Sequence, residues 1–523
     1  MTSRGSLEKP QLGTDEGVTS MADTDVVSGG SRDLGYTASA LEKHTNWWGA
    51  FVIGLAGTIL VTGIAPIMVT TLGASSIPPT IVITISGWLL CLILAELAAM
   101  MPDRTGGSPS YAYPAFKDRW PGLAKHINGL TAWAYWLGWF PVAPLNMILA
   151  SLYLATLFGL NTDAGFAPVD TKIAYSTLVI SVIGICACFV PAYLGIRFGA
   201  ATATVLGLLS MIPLTFIAIA WMFNPSVANF AEVSGFPHLD GSSFFAPFTA
   251  PDGKSYPWLT TYIAYAFLLS WNVIAMEAAA CYIGECKDPA RDAKIAMNLE
   301  GGYGVFIYTL VPIAFMVVIG AKALGDPKGA LAGGDPNALF VTFAGKVFGA
   351  SGHWLDWVIG FMLILALLLS ALNAIMGSGR AIYQMAVDGE FPKFFTRLNS
   401  HGVPHIAMGF NVVASLVVVL LGGAAAIITF SNVGYVISFV PVLIGYYLLR
   451  NDKPNANRPF KLPEFMKYVA LLIAAFYFII WIYGGLYYST MNNYFVYYWL
   501  GWAVLFLYLP FYWWRKAEDA STA

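Results

Sequence analysis

The residue most at odds with its surroundings is Glu277, in the run Trp271-Asn272-Val273-Ile274-Ala275-Met276-Glu277. An acid inside an apolar helix costs roughly 3 kcal/mol even on the most lenient insertion scale, so a function is the default reading. Such a carboxyl can take a proton, pair with a cation or gate a pathway. The competing reading is a carboxyl hydrogen-bonded to a neighbouring helix for packing alone. Asn272 adds a second polar group nearby. A second anomaly is Val61-Thr62-Gly63-Ile64-Ala65-Pro66. Gly63 tolerates unusual dihedrals, and Pro66 removes a donor and disfavours helix at Ala65. An interruption around Thr62–Ala65 would expose amides at the start of a half-helix, and those favour an anion such as a carboxylate. An ordinary proline kink accounts for the same residues.

The frame for these residues follows from composition. Of 523 residues, 58% are apolar and 11% charged, and the mean hydropathy is +0.66. A soluble chain carries about 25% charged residues, so this is an all-α integral membrane protein. The net charge of −2 suggests no nucleic-acid partner. Cys91, Cys186, Cys188, Cys281 and Cys286 lie in or beside apolar runs without metal-site spacing, so neither a metal nor a disulfide framework is expected. Residues 1–46 are rich in Gly, Ser, Thr and Asp and read as a disordered cytoplasmic tail with no signal peptide. A transporter domain over 47–515 and a short cytoplasmic tail over 516–523 follow.

A helix crosses the hydrocarbon with roughly 20 apolar residues. Twelve runs qualify: 47–72, 79–101, 128–159, 173–195, 199–223, 257–284, 301–323, 354–378, 405–422, 424–449, 466–489 and 494–514. Only Gly422 and Gly423 separate the ninth from the tenth. With both termini cytoplasmic, just Lys172, Lys254, Lys322, Lys328 and Lys346 of the 27 basic residues fall outside. An odd number of spans would scramble that asymmetry. The first and sixth spans open two successive five-helix blocks, and paired interruptions at corresponding positions point to an inverted-repeat transporter.

Four stretches in order then resemble the amino acid–polyamine–organocation (APC) superfamily of secondary transporters. They are Gly57 to Ala65 with its Thr62-Gly63-Ile64; Glu96-Leu97-Ala98 with Pro102…Gly106-Gly107…Tyr111-Ala112-Tyr113; Ala275-Met276-Glu277…Glu285-Cys286-Lys287-Asp288-Pro289-Ala290-Arg291; and Ser378-Gly379-Arg380…Met385-Ala386-Val387-Asp388-Gly389-Glu390-Phe391-Pro392. The resemblance implies a five-plus-five inverted repeat with broken first and sixth helices, plus two extra helices. It implies a permease for an amino acid or related small amine, working by alternating access in the cell membrane. Thr62, Gly63 and Ile64 would take a substrate carboxylate. Carbonyls near Val273, Ile274 and Ala275 would take an ammonium, with Trp271 covering the substrate and Ile274 lining the pocket.

Departures from the family pattern are Val61 before Thr62-Gly63, and Ala65-Pro66 in place of an aromatic. The lysine of proton-coupled relatives falls at Ser210, so proton or sodium coupling, coupling through Glu277, and exchange stay open. Trp139 in the third span, near Asn146, and Asn432 in the tenth, beside Ser431, are further wall residues; Ser370 and Asn373 in the eighth are coupling candidates. A polyamine carrier or antiporter of the same fold is the alternative, disfavoured because Glu277 alone lies deep by this count. A membrane enzyme lacks a nucleophile motif and has its His residues in tails, loops or span ends; a channel lacks a filter repeat; no P-loop is present. The expected partners are a small-molecule substrate and the lipid bilayer, with no cofactor beyond a coupling ion, in a monomer or homodimer.

Overall fold

The computed structural model describes residues 34–169, 171–326, 328–329, 331, 336–349 and 353–522. Among them, ten helical segments are long and apolar enough to cross a membrane. The first, Trp47–Met100, has 54 residues, which drawn out straight would run about 80 Å, more than twice the hydrocarbon thickness. It turns at Gly73, where φ is +66°, and so supplies two spans. The shorter apolar helix His405–Leu421 supplies the ninth. Gly422, at φ +76°, makes the left-handed turn that separates it from the tenth, Ala424–Asp452. The twelve expected spans all coincide with helix.

Several spans run past the ends that apolarity marks. The third begins at Pro121, bends at Phe140–Pro141 and continues through Val142–Phe158. The seventh begins at Pro289, capped by the Asp288 side chain, rather than at Gly301. The eighth extends to Val387. Backbone hydrogen bonding continues beyond the hydrocarbon, whereas a hydropathy window stops there. Of the expected tail, residues 1–33 lie outside the described residues. From Leu34 onward the chain lies against the span ends, with Leu34, Tyr36 and Leu41 buried and Ser39 N–H donating to Asp103 O at 2.8 Å.

The first span consists of Trp47–Gly54, an irregular turn at Leu55–Gly57, a 3-10 turn at Thr58–Leu60, and the helix Val61–Leu72. The break therefore lies ahead of the expected Thr62–Ala65, whose residues stand in the second half-helix; Pro66 is accommodated inside it. Glycine contacts explain the position. A Cβ on Gly57 would sit 1.9 Å from Ala275 O, and one on Gly54 would sit 2.6 Å from Glu300 Oε1. Gly63 meets nothing closer than Leu149 at 4.0 Å, so no neighbour presses the chain there.

The sixth span changes from α-helix, Trp258–Val273, to a tighter 3-10 helix, Ile274–Glu285. The two interrupted spans lie side by side. Thr45 N–H donates to Glu285 O at 3.0 Å and Lys287 N–H to Thr45 O at 3.1 Å, joining the start of one to the end of the other. At the breaks, the Tyr308 hydroxyl of the seventh span lies 3.0 Å from Gly57 O and 2.9 Å from Asn272 O. One hydroxyl thus serves a carbonyl from each break, where lipid offers no donor.

The face that carries both described chain ends is closed by buried ion pairs. Arg104 grips Asp388 with two bonds, at 2.9 and 2.6 Å. Arg380 pairs with Glu285, and Arg450 with Glu96. The opposite face carries the connections 159–174 and 224–257, two short antiparallel hairpins, and the helix Pro336–Phe348. Gly57→Ala must force the two broken spans apart, since the obstructing atom is backbone. We expect a loss of about 1–3 kcal/mol or more, read as a lowered thermal unfolding temperature in detergent.

Candidate functional site

A cavity of about 350 Å³ lies between the first, third, sixth and tenth spans, lined by Thr62, Gly63, Ile64, Asn146, Trp271 and Asn272 among mostly aliphatic side chains. It extends toward Pro336 and Ala424, on the face opposite the chain ends. Among the described residues, no charged side chain lines it. Asn146 is fully buried there, and neither its Nδ2 nor its Oδ1 has a hydrogen-bond partner. A side-chain amide offers donors and an acceptor together, so it can meet both a carboxylate and an ammonium. Third-span helix Val142–Phe158, which starts after Pro141, carries Asn146 on its buried side.

Beyond the cavity the chain closes. Leu60, Trp139, Trp271, Ala275 and Tyr435 surround a constriction with essentially no free volume. The Trp271 indole donates to Gly138 O at 3.0 Å, which fixes its ring between cavity and constriction. One step further along the sixth span, Glu277 is fully buried. Its carboxylate accepts from Tyr135 at 3.0 and 3.1 Å, from the Trp139 indole at 3.1 Å and from Tyr435 at 3.0 Å. Three neutral donors from the third and tenth spans converge on this carboxyl. This group joins three spans below the cavity and does not itself line it.

The sequence-predicted residues separate accordingly. Thr62, Gly63, Ile64 and Trp271 come together in the cavity; Trp139 and Ala275 stand at the constriction. Ile274 is buried elsewhere, and of Val273 only the backbone is described. The carbonyls suggested for an ammonium are partly occupied: Asn272 O accepts from Tyr308, and Ala275 O abuts Gly57. Asn432 is turned away, donating to Phe267 O and, at 3.3 Å, to Ser270 Oγ. Ser210 donates to Leu206 O of its own helix at 2.7 Å. Asn373 accepts from Tyr282, linking the eighth span to the sixth, and Ser370 Oγ is buried without a partner.

Three of the four motif stretches meet on the closed face; the first, with Thr62-Gly63-Ile64, lines the cavity. Gly106 and Gly107, at φ +87° and +82°, carry the loop after the second span so closely over the eighth and sixth that a Cβ would lie 2.9 Å from Arg380 O and 2.8 Å from Cys281 Sγ. At the eighth span's exit, burial first, and then the Asp388 carboxylate, push the Glu390 carboxyl well above its usual range, while Asn128 donates to it at 2.9 and 3.1 Å.

Sequence reasoning missed Tyr308 and Tyr435, which carry no signal beyond an aromatic in an apolar run. It also missed Glu300, which corrects the count of a single deep acid. The seventh span starts eleven residues before Glu300, so that acid lies about three turns inside a helix and is fully buried.

A broken-helix bundle with a cavity at the breaks, open toward one face and closed toward the other, defines an alternating-access carrier. The chain belongs to the amino acid permease family, whose pattern matches residues 46–507. It is similar to the proline-specific permease of Emericella nidulans, 26% identical over 423 residues, which cover 76% of this chain and 70% of that one. It is 26% identical over 358 residues to the cadaverine/lysine antiporter of Escherichia coli K12, covering 67% of this chain and 68% of the antiporter. A match to the glutamate/gamma-aminobutyrate antiporter of Lactococcus lactis, 24% identical, covers 39% of this chain and 41% of that protein. The chain is a multi-pass membrane transporter of the amino acid permease type.

Two variants test this architecture. Glu277→Gln places an amide against three donors; uptake should fall at least about ten-fold, near 1.4 kcal/mol, while the protein stays folded and monodisperse. Arg380→Ala leaves Glu285 buried without its cation, and thermal unfolding should register a loss of roughly 3–5 kcal/mol.

Proposed function

We propose that this carrier imports a small neutral amino acid with an apolar body across the cell membrane, by a secondary, ion-driven cycle. The observation that carries the reading is a cavity that no charged side chain lines among the described residues, with the unpartnered Asn146 amide on its wall. A zwitterion needs one acceptor and one donor region but no net counter-charge. A diamine would enter a site with no carboxylate to meet it, at a cost of several kcal/mol per unpaired charge. The name of the proline-specific relative agrees with this choice; that of the cadaverine/lysine relative favours the alternative, a cationic substrate exchanged for a diamine.

In this reading Asn146 and Thr62 orient the polar end, and Gly63 leaves room for the body beside Ile64. Trp271 forms the floor. Both termini are cytoplasmic, so the cavity faces outside and the ion pairs of Arg104, Arg380 and Arg450 hold the inner side shut. Glu277 acts as a gate residue, because opening the inner side must part it from Tyr135, Trp139 or Tyr435. The chain acts as a carrier and catalyses no covalent reaction.

Purified protein in liposomes, offered proline, alanine, leucine, lysine, glutamate and cadaverine, tests the substrate. Saturable uptake of a neutral amino acid is expected; cadaverine or lysine as the preferred substrate overturns the assignment. Gly63→Val adds a side chain into open space, so the protein should fold normally and lose uptake at least about ten-fold. Unchanged uptake by that variant would move the substrate elsewhere.

A further inference from the structure

Among the described residues, Glu277 and Glu300 are buried acids near the helix breaks, and their surroundings differ in kind. Glu277 accepts from three side-chain donors. Glu300, equally buried, accepts one bond through Oε2, from the Ala279 N–H at 3.0 Å, and its Oε1 has no hydrogen-bond partner. The carboxyl packs on the bare Cα of Gly54: a Cβ there would lie 2.6, 2.7 and 2.8 Å from Oε1, Oε2 and Cδ. Gly54 ends the first half of the first span, and Ala279 lies in the 3-10 half of the sixth. Glu300 therefore sits where the two broken spans meet the seventh.

No cation balances this group among the described residues. The buried guanidinium groups of Arg104, Arg380 and Arg450 are committed to Asp388, Glu285 and Glu96. Lys346 reaches the seventh span only at its far end, donating to Val318 O and Ile319 O. The titratable groups that face Glu300 are Glu277, Cys281 and Tyr282 of the sixth span and Cys91 of the second. The half-helix Trp47–Gly54 contributes none, and the fifth span carries no charged residue between Gly199 and Phe223. A carboxylate met only by backbone amides, those of Ala279 and, less closely, Ala278, with an unpartnered oxygen and a second carboxylate nearby, is a costly buried anion, whereas the neutral acid removes the charge. Two buried acids with such different numbers of donors divide the roles between them.

We propose that Glu300 carries the proton that drives this transporter. In the conformation open away from the chain ends, Glu300 is neutral, with its proton on Oε1. When the half-helix Trp47–Gly54 swings away to open the other side, water reaches the carboxyl. The proton then passes from Oε1 to that water and leaves as hydronium, and Ala279 N–H remains on the carboxylate. Glu277, held by Tyr135, Trp139 and Tyr435, acts as the gate. The proposal rests on the carrier reading above and names its coupling ion and the group that holds it.

The first test needs no substrate. Infrared difference spectra of purified protein in lipid nanodiscs, recorded between acid and alkaline pH, should contain the carbonyl stretch of a neutral carboxyl. Glu300→Gln should remove a component of that band which Glu277→Gln and Glu390→Gln both retain, and Glu300→Asp should shift that component. A band that Glu300→Gln leaves unchanged, or that loses the same component in Glu277→Gln, overturns the proposal. The second test uses liposomes and whichever amino acid the uptake panel identifies. An inward proton gradient should stimulate the wild type, and Glu300→Gln should lose that stimulation while counterflow exchange stays within about two-fold of wild type. Stimulation of the variant equal to that of the wild type overturns the coupling role. Should the panel yield no substrate, the infrared result still decides whether Glu300 binds the proton.

Discussion

Two helices that break inside a bilayer leave backbone groups with no water to meet them, and the rest of this structure is arranged around satisfying those groups. Tyr308 supplies a hydroxyl to Gly57 O and Asn272 O, one carbonyl from each break. Glu300 takes the Ala279 N–H just past the second break. The glycines at 54 and 57 let these partners approach to distances that a Cβ would forbid. Each such contact is made between different spans, so the breaks cannot move without moving their neighbours. That is the physical basis for treating the first and sixth spans as the moving parts.

Along the sixth span the environment changes in steps. Trp271 faces a cavity with room for a small molecule. Ala275 stands at a constriction with none, Glu277 holds the third and tenth spans together, and Glu285 ends in a buried pair with Arg380. A substrate admitted from one face thus meets successive barriers of increasing electrostatic strength. Low dielectric makes each polar contact in this series costly to break without a replacement. The observed conformation is held on the closed side by charge and leaves the open side to aliphatic walls, which separate at little cost.

The four motif stretches that carry the family resemblance do not build the cavity walls alone. Thr62-Gly63-Ile64 does line the cavity, but Gly106-Gly107, Glu285 and Arg380 belong to the closed face. Their residue types suit closure, since two glycines at positive φ permit close crossing and a guanidinium–carboxylate pair locks the crossing in place. Other cavity walls come from Leu145, Asn146 and Leu149 of the third span, outside those four stretches.

Sequence by itself determined the membrane class, the number of spans and the location of the deep acid Glu277. These depend on hydropathy over windows and on the cost of one carboxyl in hydrocarbon, both local quantities. It also marked the breaks to within about two turns of the first span, because Gly and Pro act on their own backbone. The exact site of that break, at Leu55–Leu60, depended on Ala275 O and Glu300 pressing on Gly57 and Gly54 from other spans. Only the tertiary structure brought Tyr135, Trp139 and Tyr435 onto Glu277, left Asn146 unpartnered in a cavity, and placed Glu300 against a half-helix. Hydrogen-bond satisfaction is a property of pairs distant in sequence, and no window along the chain contains both partners.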